Sequence, residues 1–425
     1  MSFLIISIAF TKSTLSLKDI GDYELLLFIA SAISFFWVTG IIQSLLPLFN
    51  NSDSYPFRKE QATKKSPEIF NSFVLLLFLS ALIALLGFFL KDTIHVYKGG
   101  ERLPYSNLLL LYILLSNPVC LIEYIYLLYN KPVHILYYGI ITFTLQVLFV
   151  VYPVMIGLGL ITGIWGLLLI TAIRFVWLII LIRKYAVIKF SWSFIKEHLN
   201  LATPLIVSSL LSGSAQYIDG SLVSAKFPPE NFALFRFGAK EMPLLVTLAV
   251  GLNNAMLSQF NSSQKLKNSL DILKKKSLRL MHILFPISIL LLFFSNDIFP
   301  FMFTTRFSHS ADVFMVYLLL FMSRLIFPQT ILIGLKKTKI VMIASILEII
   351  FNIGLTLIMI PIYGIVGVAL ATVIIYLLEK ILLILYNYYK LGIKPVEYIS
   401  LKWYFAYSII LVSLFVLIDR RILNV

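Results

Sequence analysis

Long apolar segments separated by short polar ones make up most of the chain. Most of these segments have about the 20 residues that a helix needs to cross a bilayer. The first half contains Glu24–Leu48, Ile69–Leu90, Asn107–Tyr129, Val133–Leu158 and Thr162–Ile182. The second half contains Leu201–Ala225, Phe232–Phe260, Leu280–Phe294, Ala311–Leu335, Ile340–Ile360, Gly364–Tyr388 and a further segment, Trp403–Ile418. Because the apolar positions are continuous rather than alternating, the pattern predicts a bundle of transmembrane helices and not a transmembrane barrel.

The two halves of the chain resemble each other at an offset of about 200 residues, which is typical of a parallel repeat of about six helices. Gly163–Gly166 matches Gly364–Gly367, and Asp22–Leu26 matches Asn231–Phe235. The repeat predicts an N-terminal bundle at residues 1–198 that ends in a basic connector. It also predicts a C-terminal bundle at 199–389, followed by a loop and an additional helix at 390–425.

The first apolar segment, Ser2 to about Thr14, is too short to span a bilayer. Its counterpart in the repeat is the full-length segment Leu201–Ala225. We therefore expect a truncated first helix that crosses about half of the bilayer. Two explanations are open: the chain begins with a half-helix, or the true start codon lies upstream, and we favour the second.

Basic residues fall mainly in alternate loops of this pattern. They outnumber the basic residues of the other loops by about two to one, and such loops are cytoplasmic in most membrane proteins. The basic set includes Arg58, Lys59, Lys64, Lys65, Arg183, Lys184, Lys274, Lys275, Lys276, Lys336, Lys337 and Lys339. The N-terminus is then cytoplasmic, and the turn at Pro228–Pro229 lies outside.

Composition narrows the class of protein further. Of 425 residues, 60% are hydrophobic and 13% are charged, whereas soluble domains have about 25% charged residues. The net charge of +15 is explained by the basic loops, so we expect no nucleic-acid partner. The single cysteine, Cys120, excludes an intramolecular disulfide, and no metal site or cofactor motif is predicted.

Three short motifs resemble the polysaccharide flippases of the multidrug/oligosaccharidyl-lipid/polysaccharide superfamily, especially the Wzx-type O-antigen or repeat-unit transporters. Leu15–Tyr23 resembles the turn of the family's first hairpin. Ala202–Leu205, followed by Tyr217–Asp219, resembles the start of its second bundle, and Pro361–Ala369 resembles its turn between helices eleven and twelve. The short first helix and the additional C-terminal segment depart from the family pattern, so the helix count is twelve or thirteen.

This resemblance implies an all-α polytopic membrane protein with two pseudo-symmetric six-helix bundles around a central cavity. It also implies a function, the translocation of an undecaprenyl-pyrophosphate-linked oligosaccharide repeat unit across the bacterial inner membrane by alternating access. The implied partners are that lipid-linked glycan, the membrane lipid and other proteins of polysaccharide assembly. No enzymatic activity is implied.

Four cations lie inside the predicted membrane segments, where charge is costly and marks function. They are Arg174, Arg236, Lys240 and Arg324. Arginine suits phosphate because its planar fork donates two hydrogen bonds at once. We expect the four to form a cationic cavity for the pyrophosphate. Arg236 and Lys240 are four residues apart and would share one helical face. Each also has a structural alternative as a buried ion pair or an interfacial side chain.

Four acidic residues also lie inside these segments: Glu123, Asp219, Glu348 and Glu379. Two interpretations are open for them. They neutralise the buried arginines, or they form a proton or sodium site that couples transport to an ion gradient. Glu379 and Lys380 are neighbours in sequence and should point to different sides of a helix, which argues against an ion pair between them.

Two other functions compete with the flippase. A drug or cation antiporter of the same superfamily should have an acidic cavity without deep arginines, and Arg174 and Arg324 argue against it. A membrane enzyme such as an O-antigen polymerase or an acyltransferase should have a long outer loop or an intramembrane histidine. The longest outer loops, near Lys91–Tyr105 and Ser295–Ser310, are short.

Overall fold

The computed structural model describes residues 2–51, 65–93, 96–97, 102–129, 131–240, 248–249, 251–253, 256, 260, 266–335 and 337–419. Within these residues the regular structure is helical, and the β-type pairing is an isolated bridge between Ser66 and Ala186. Helices suit an apolar chain in lipid because each one satisfies its own backbone hydrogen bonds. Glu241 and Pro243, which interrupt one predicted segment, lie outside the described residues.

The helices of the first half follow the predicted apolar segments closely. They are α1 (Ser2–Thr11), α2 (Leu17–Asn51), α3 (Pro67–Leu90), α4 (Ser106–Val119), α5 (Leu121–Leu128), α6 (Pro132–Gln146), α7 (Tyr152–Met155), α8 (Leu160–Tyr185) and α9 (Trp192–Gly213). A π-helical turn, Val147–Val151, joins α6 to α7. The ten residues of α1 rise about 15 Å, half of the hydrocarbon thickness, as the repeat predicts.

Within the described residues, ten helices follow α9. Two of them come before residues 241–265, most of which lie outside the described residues, and eight come after. They are α10 (Ala215–Lys226), α11 (Pro229–Gly238), α12 (Leu266–Phe293), α13 (Ser295–Phe303), α14 (Ser308–Leu318), α15 (Phe321–Arg324), α16 (Pro328–Gly334), α17 (Thr338–Leu391), α18 (Pro395–Tyr398) and α19 (Leu401–Asp419). The additional C-terminal segment of the sequence is therefore a helix, α19.

Helix α17 is two membrane segments in one continuous run. Its 54 residues would rise about 80 Å if straight, more than twice the hydrocarbon thickness. Gly364 interrupts it with φ 58° and ψ −136°, a backbone conformation that a side chain would oppose. The chain turns there, as the sequence predicts for Pro361–Ala369.

Eight helices in the described part of the chain are long and apolar enough to cross a membrane, with α17 counted once. A ninth results if Thr305–Arg324 and Pro328–Gly334, which meet at a 46° bend, are one broken span. The protein is a multi-pass helical membrane protein. Contacts group the chain into one unit of Met1–Tyr217 and Ser224–Glu230, and another of Ile218–Val223 and Asn231–Val425. The predicted division at residues 198/199 and 389/390 stays a prediction.

The first unit is held by a core in which α2, α3, α5, α8 and α9 all take part. Ile41, Leu76, Ile125 and Leu178 are completely buried in it. Close approach of the backbone is needed where α8 crosses the π-helical turn, since a Cβ at Gly166 would overlap the carbonyl of Phe149. Small residues at such crossings let membrane helices pack closely.

We expect Gly166→Ala to destabilise the first unit by about 1–3 kcal/mol, the usual cost of overpacking. Thermal unfolding in detergent measures the effect. Gly139→Ala is the matched control, because no atom lies within 4 Å of the methyl group it would add. The close-packing interpretation is wrong if both variants unfold at the same temperature.

His198 is a buried side chain that joins three helices of the first unit. Its Nε2 atom lies 2.8 Å from the carbonyl oxygen of Ile41 on α2, and its Nδ1 atom lies 3.4 Å from the hydroxyl of Ser72 on α3. Because a carbonyl oxygen only accepts, Nε2 carries the proton and Nδ1 accepts from Ser72. The neutral imidazole therefore satisfies both contacts.

His198 precedes the apolar segment that begins at Leu201. Burial lowers the pKa of this histidine below its usual 6.5, and the hydrogen bond to the Ile41 carbonyl opposes the shift only in part. The unfolded chain therefore takes up a proton near pH 6.5 that the native state refuses. We expect the free energy of unfolding to fall below that pH by about 1.4 kcal/mol per unit. Unfolding midpoints between pH 8 and pH 5 measure this, and His198→Gln should flatten the slope. His309→Gln, at an exposed imidazole, should not.

Candidate functional site

Arg174 lies on the side of α8 that faces protein. The lipid-exposed positions of this helix form one stripe: Trp165, Leu169, Val176 and Ile180. Arg174 is about half a helical turn from that stripe, at the centre of the buried face that contains Ile170, Leu178 and Leu181. Its side chain is nevertheless partly accessible. A guanidinium group in this place is neither lipid-facing nor sealed in the core.

The hydrogen-bond partner of Arg174 is a neutral aromatic side chain, which further aromatic residues hold in place. Its Nε atom donates to the hydroxyl of Tyr138 over 2.6 Å, and its Cζ lies 5.5 Å from the centre of that ring. Trp177 packs edge-on against Tyr138 with ring centroids 5.3 Å apart, and its indole N–H donates to the hydroxyl of Tyr126 over 3.0 Å. Helices α5, α6 and α8 thus build one aromatic setting for one cation.

Arg174 makes no ion pair with any carboxylate in the described part of the chain. Glu123 is on the neighbouring helix α5, and its side chain is exposed rather than turned onto the guanidinium. Burying a charge without a counter-ion is costly. An anion that arrives from outside the chain would remove that cost, so the site is suited to anion binding.

Asp219, in the part of α10 that belongs to the second unit, is buried among neutral polar side chains. Tyr317 donates to its Oδ2 over 3.0 Å, Thr372 donates to the same oxygen over 2.6 Å, and Asn352 donates to Oδ1 over 3.3 Å. The hydroxyl of Thr356 in turn lies 2.9 Å from the Asn352 amide oxygen. No cationic side chain in the described residues forms an ion pair with Asp219.

This cluster brings together several oxygen atoms in a membrane-embedded setting. Besides the carboxylate, it contains the hydroxyls of Thr356 and Thr372 and the amide oxygen of Asn352. The Val368 carbonyl also lies 3.2 Å from the Thr372 hydroxyl. Oxygen ligands suit hard cations, and intramembrane carboxylates are the usual sites of ion and proton coupling. The arrangement can therefore hold a monovalent cation or a proton.

Glu379 and Lys380 form an ion pair, and the expectation that neighbours in sequence would not pair is wrong. The Lys380 ammonium lies 2.7 Å from Glu379 Oε2 and donates to Gln329 Oε1 over 2.7 Å. The lysine side chain is long and flexible enough for its ammonium group to reach a carboxylate on the adjacent position of the helix. Glu348 is half-buried and within electrostatic range of Glu379, Lys380 and Asp219. The acids of the second unit thus lie near one another.

Arg324 is the last residue of α15, where the helix breaks before Pro328. A cation at a helix C-terminus is favoured by the helix dipole. Polar groups of α17 fasten the chain just beyond the break: Asn387 donates to the carbonyl of Pro328 over 3.2 Å, and Lys380 binds Gln329. Broken helices of this kind line the functional sites of many transporters.

The prediction that Arg236 and Lys240 share one helical face is wrong. Helix α11 ends at Gly238, between the two residues, so Lys240 follows the helix instead of continuing it. The Lys240 ammonium lies 4.1 Å from the centre of the Phe237 ring. Arg236 is half-buried within α11.

Sequence reasoning missed the neutral partners of both charged sites. Asn352 and Thr356 are one helical turn apart within an apolar segment, and that spacing of polar residues is a signal that could have found them. Tyr138 and Trp177 gave no such signal, because aromatic residues are common throughout the chain. Two further buried acids were not singled out as candidates. Glu24, the first residue of a predicted segment, accepts from Ser7 over 3.2 Å, and Asp22, in the polar stretch before it, accepts from Tyr97 over 3.2 Å.

Comparison with known proteins gives the family. A family model described as "Polysaccharide biosynthesis protein" matches residues 17–312, and a second model with the same description matches residues 223–425. No curated protein matches the sequence.

Solved structures with the same fold are membrane transporters. The lipid II flippase MurJ in an inward closed conformation superposes with a TM-score of 0.69 at 18% identity, over 98% of this chain and 90% of that one. A point mutant of the Vibrio cholerae MATE transporter VcmN gives 0.56 at 13% identity, over 93% and 94%. A MOP superfamily transporter from Pyrococcus furiosus gives 0.54 at 15% identity, over 92% of each chain.

The predicted all-α transporter fold is thereby confirmed, as is the family resemblance that the sequence motifs indicated. The first family model alone matches more than half of the chain. The chain belongs to the polysaccharide biosynthesis protein family and has the fold of the MOP superfamily transporters.

Proposed function

We propose that the protein is a flippase that moves an undecaprenyl-pyrophosphate-linked oligosaccharide repeat unit across the bacterial inner membrane by alternating access. The family supports polysaccharide biosynthesis as the process. The likeness in fold to a lipid II flippase supports transport of a lipid-linked glycan. The basic loops support a cytoplasmic N-terminus. Other proteins of polysaccharide assembly would supply the substrate and receive it.

One observation carries the proposal: Arg174 is a protein-facing cation within a membrane segment, and among the described residues its hydrogen-bond partner is a neutral tyrosine and not a carboxylate. A pyrophosphate group that leaves water needs charged donors to replace its hydration. Hydrogen bonds between arginine and phosphate are among the stronger ones in proteins. Arg236, Lys240 and Arg324 are proposed as further cations of the substrate path.

The Asp219 cluster is proposed as the coupling site, which takes Na⁺ or a proton as co-transported cation. Its neutral partners stabilise the carboxylate without neutralising it, so a cation still gains by binding there. Glu348, Glu379 and Glu123 are secondary candidates for the same task. Glu379 is the weakest of them, because Lys380 already compensates its charge.

The same cluster favours a second candidate function, a drug or cation antiporter. A buried acid without an ion-pair partner in the described residues suits a cationic substrate, and the MATE transporters share the fold. Arg174 distinguishes the two functions, because a cationic drug gains nothing from an uncompensated guanidinium group.

Arg174→Ala should abolish most of the transport. Loss of charge-assisted hydrogen bonds of about 1.5–3 kcal/mol corresponds to a decrease of roughly ten- to a hundredfold. The measurement is surface polysaccharide in a host whose own flippase gene is deleted and which expresses the variant. Arg183→Ala, in the last turn of the same helix, is the control and should transport normally. Wild-type transport by a normally expressed Arg174→Ala variant would rule out the cation site but not the family.

Asp219→Asn should remove the cation dependence while it keeps the side chain's shape. We expect the wild type to unfold at a higher temperature in NaCl than in KCl of equal ionic strength, because bound Na⁺ stabilises the native state. The asparagine variant should lose this difference. Asp271→Asn, at an exposed ion pair with Lys275, is the control. If stability depends on pH through Asp219 and not on Na⁺, the coupling cation is a proton. If the stability of Asp219→Asn depends on Na⁺ and on pH in the same way as that of the wild type, the coupling site is elsewhere.

A further inference from the structure

Tyr138 is buried and held by two side chains of α8. Its side chain is 2% exposed. Its ring receives the edge of Trp177 at an interplanar angle of 82°, and its hydroxyl accepts from Arg174. Trp177 is itself fixed, since its N–H donates to Tyr126, a residue of α5 that is 4% exposed. The hydroxyl of Tyr138 therefore occupies a defined position relative to α8.

The bond from Arg174 to this hydroxyl uses one of five guanidinium N–H groups. The donor is Nε, and no described residue accepts from Nη1 or Nη2, so the groups on these two atoms are open to a ligand. A guanidinium held at Nε loses its rotation about the Cδ–Nε bond, and its plane is fixed by the protein instead of by a ligand. A preorganised donor binds more tightly than a mobile one because less conformational entropy is lost on binding.

We propose that Tyr138 is a positioning residue that sets Arg174 to bind a diphosphate in preference to a monophosphate, an inference that rests on the proposed function. The end of the guanidinium, with one N–H from each Nη atom, binds two oxygens of the first phosphoryl group. A remaining N–H on its side meets the second phosphoryl group. A monophosphate occupies only the first of these places.

This role of Tyr138 goes beyond a packing role. Phenylalanine at the same position would fill the same space and keep the contact with Trp177. It would lack the acceptor, so the guanidinium would turn freely and its Nε–H would compete for the ligand. The selective contact with the second phosphoryl group would be lost first, while the general attraction of the positive charge would persist.

The test measures the affinity of the purified full-length protein for farnesyl diphosphate and for farnesyl monophosphate in detergent. The wild type should prefer the diphosphate by about tenfold or more, and Tyr138→Phe should reduce this preference to about twofold with little change in monophosphate affinity. Tyr137→Phe is the matched control: the neighbouring ring is 58% exposed and should leave the ratio unchanged. Arg174→Ala should remove the preference entirely.

The outcomes separate the inference from the function on which it rests. If Arg174→Ala removes the preference and Tyr138→Phe keeps it, the positioning role is wrong and the cation site stands. If Tyr138→Phe weakens both ligands equally and lowers the unfolding temperature, Tyr138 is structural only. If the wild type shows no preference, the pyrophosphate site itself is wrong.

Trp177→Phe provides a second route to the same answer if Tyr138→Phe does not fold. This variant keeps the hydroxyl of Tyr138. It removes the hydrogen bond to Tyr126 that fixes the ring of residue 177, which packs against Tyr138. The preference for the diphosphate should fall by about twofold to fivefold, less than in Tyr138→Phe, because the acceptor is retained and only its position is loosened. An unchanged ratio in this variant, with normal folding, would contradict the positioning chain.

Discussion

The cost of placing a charge in a membrane without a counter-charge is the constraint on which the rest of the structure depends. The chain is 60% hydrophobic, and every charged side chain within its membrane segments has to be compensated by its surroundings. Lys380 and Glu379 show the simple solution, in which the two charges bind each other. Arg174 and Asp219 show another: among the described residues, their hydrogen-bond partners are neutral, so each side chain keeps its charge.

The second solution is the one that suits transport. An ion pair within the protein satisfies both partners permanently, so a ligand has to break it before binding. Neutral hydroxyls and amides lower the cost of burial while they leave the charge attractive to a ligand of opposite sign. Arg174 then favours an anion in the first unit, and Asp219 favours a cation in the second. Each site lies within one unit, and the charge of each is opposite to that of its proposed ligand.

Much of the fold was predictable because lipid simplifies the relation between sequence and structure. Apolar runs of the right length can only be helices, and the turn at Gly364 was indicated by the Pro361–Ala369 motif between two predicted segments. The deep positions of Arg174 and Asp219 follow from the same runs. The position of Lys240 was not predictable, because the apolar pattern of Phe232–Phe260 gives no sign that α11 ends at Gly238. The pairing of Glu379 with Lys380 was missed because a flexible side chain is not bound by helical directions.

The partners of the charged residues were out of reach for a related reason. Tyr138 lies 36 positions from Arg174, and Thr372 lies 153 positions from Asp219, so helix packing brings them together. Within one helix a polar residue can be recognised by its spacing, as with Asn352 and Thr356. Between helices no periodicity relates the two positions.

In a coupled transporter, binding at one site shifts the conformational equilibrium of the protein and thereby changes binding at the other site. A ligand can cause such a shift only if it binds one conformation more tightly than the other. The neutral shells of Arg174 and Asp219 have the property that such coupling needs. Each contains groups from several helices: α5, α6 and α8 around Arg174, and α10, α14 and α17 around Asp219. A ligand that takes over some of these hydrogen bonds alters the energy of packing between those helices. In the proposed transporter, charge compensation and conformational change would therefore be the same event at each site. The Glu379–Lys380 ion pair lacks this property, because its two charges already satisfy each other.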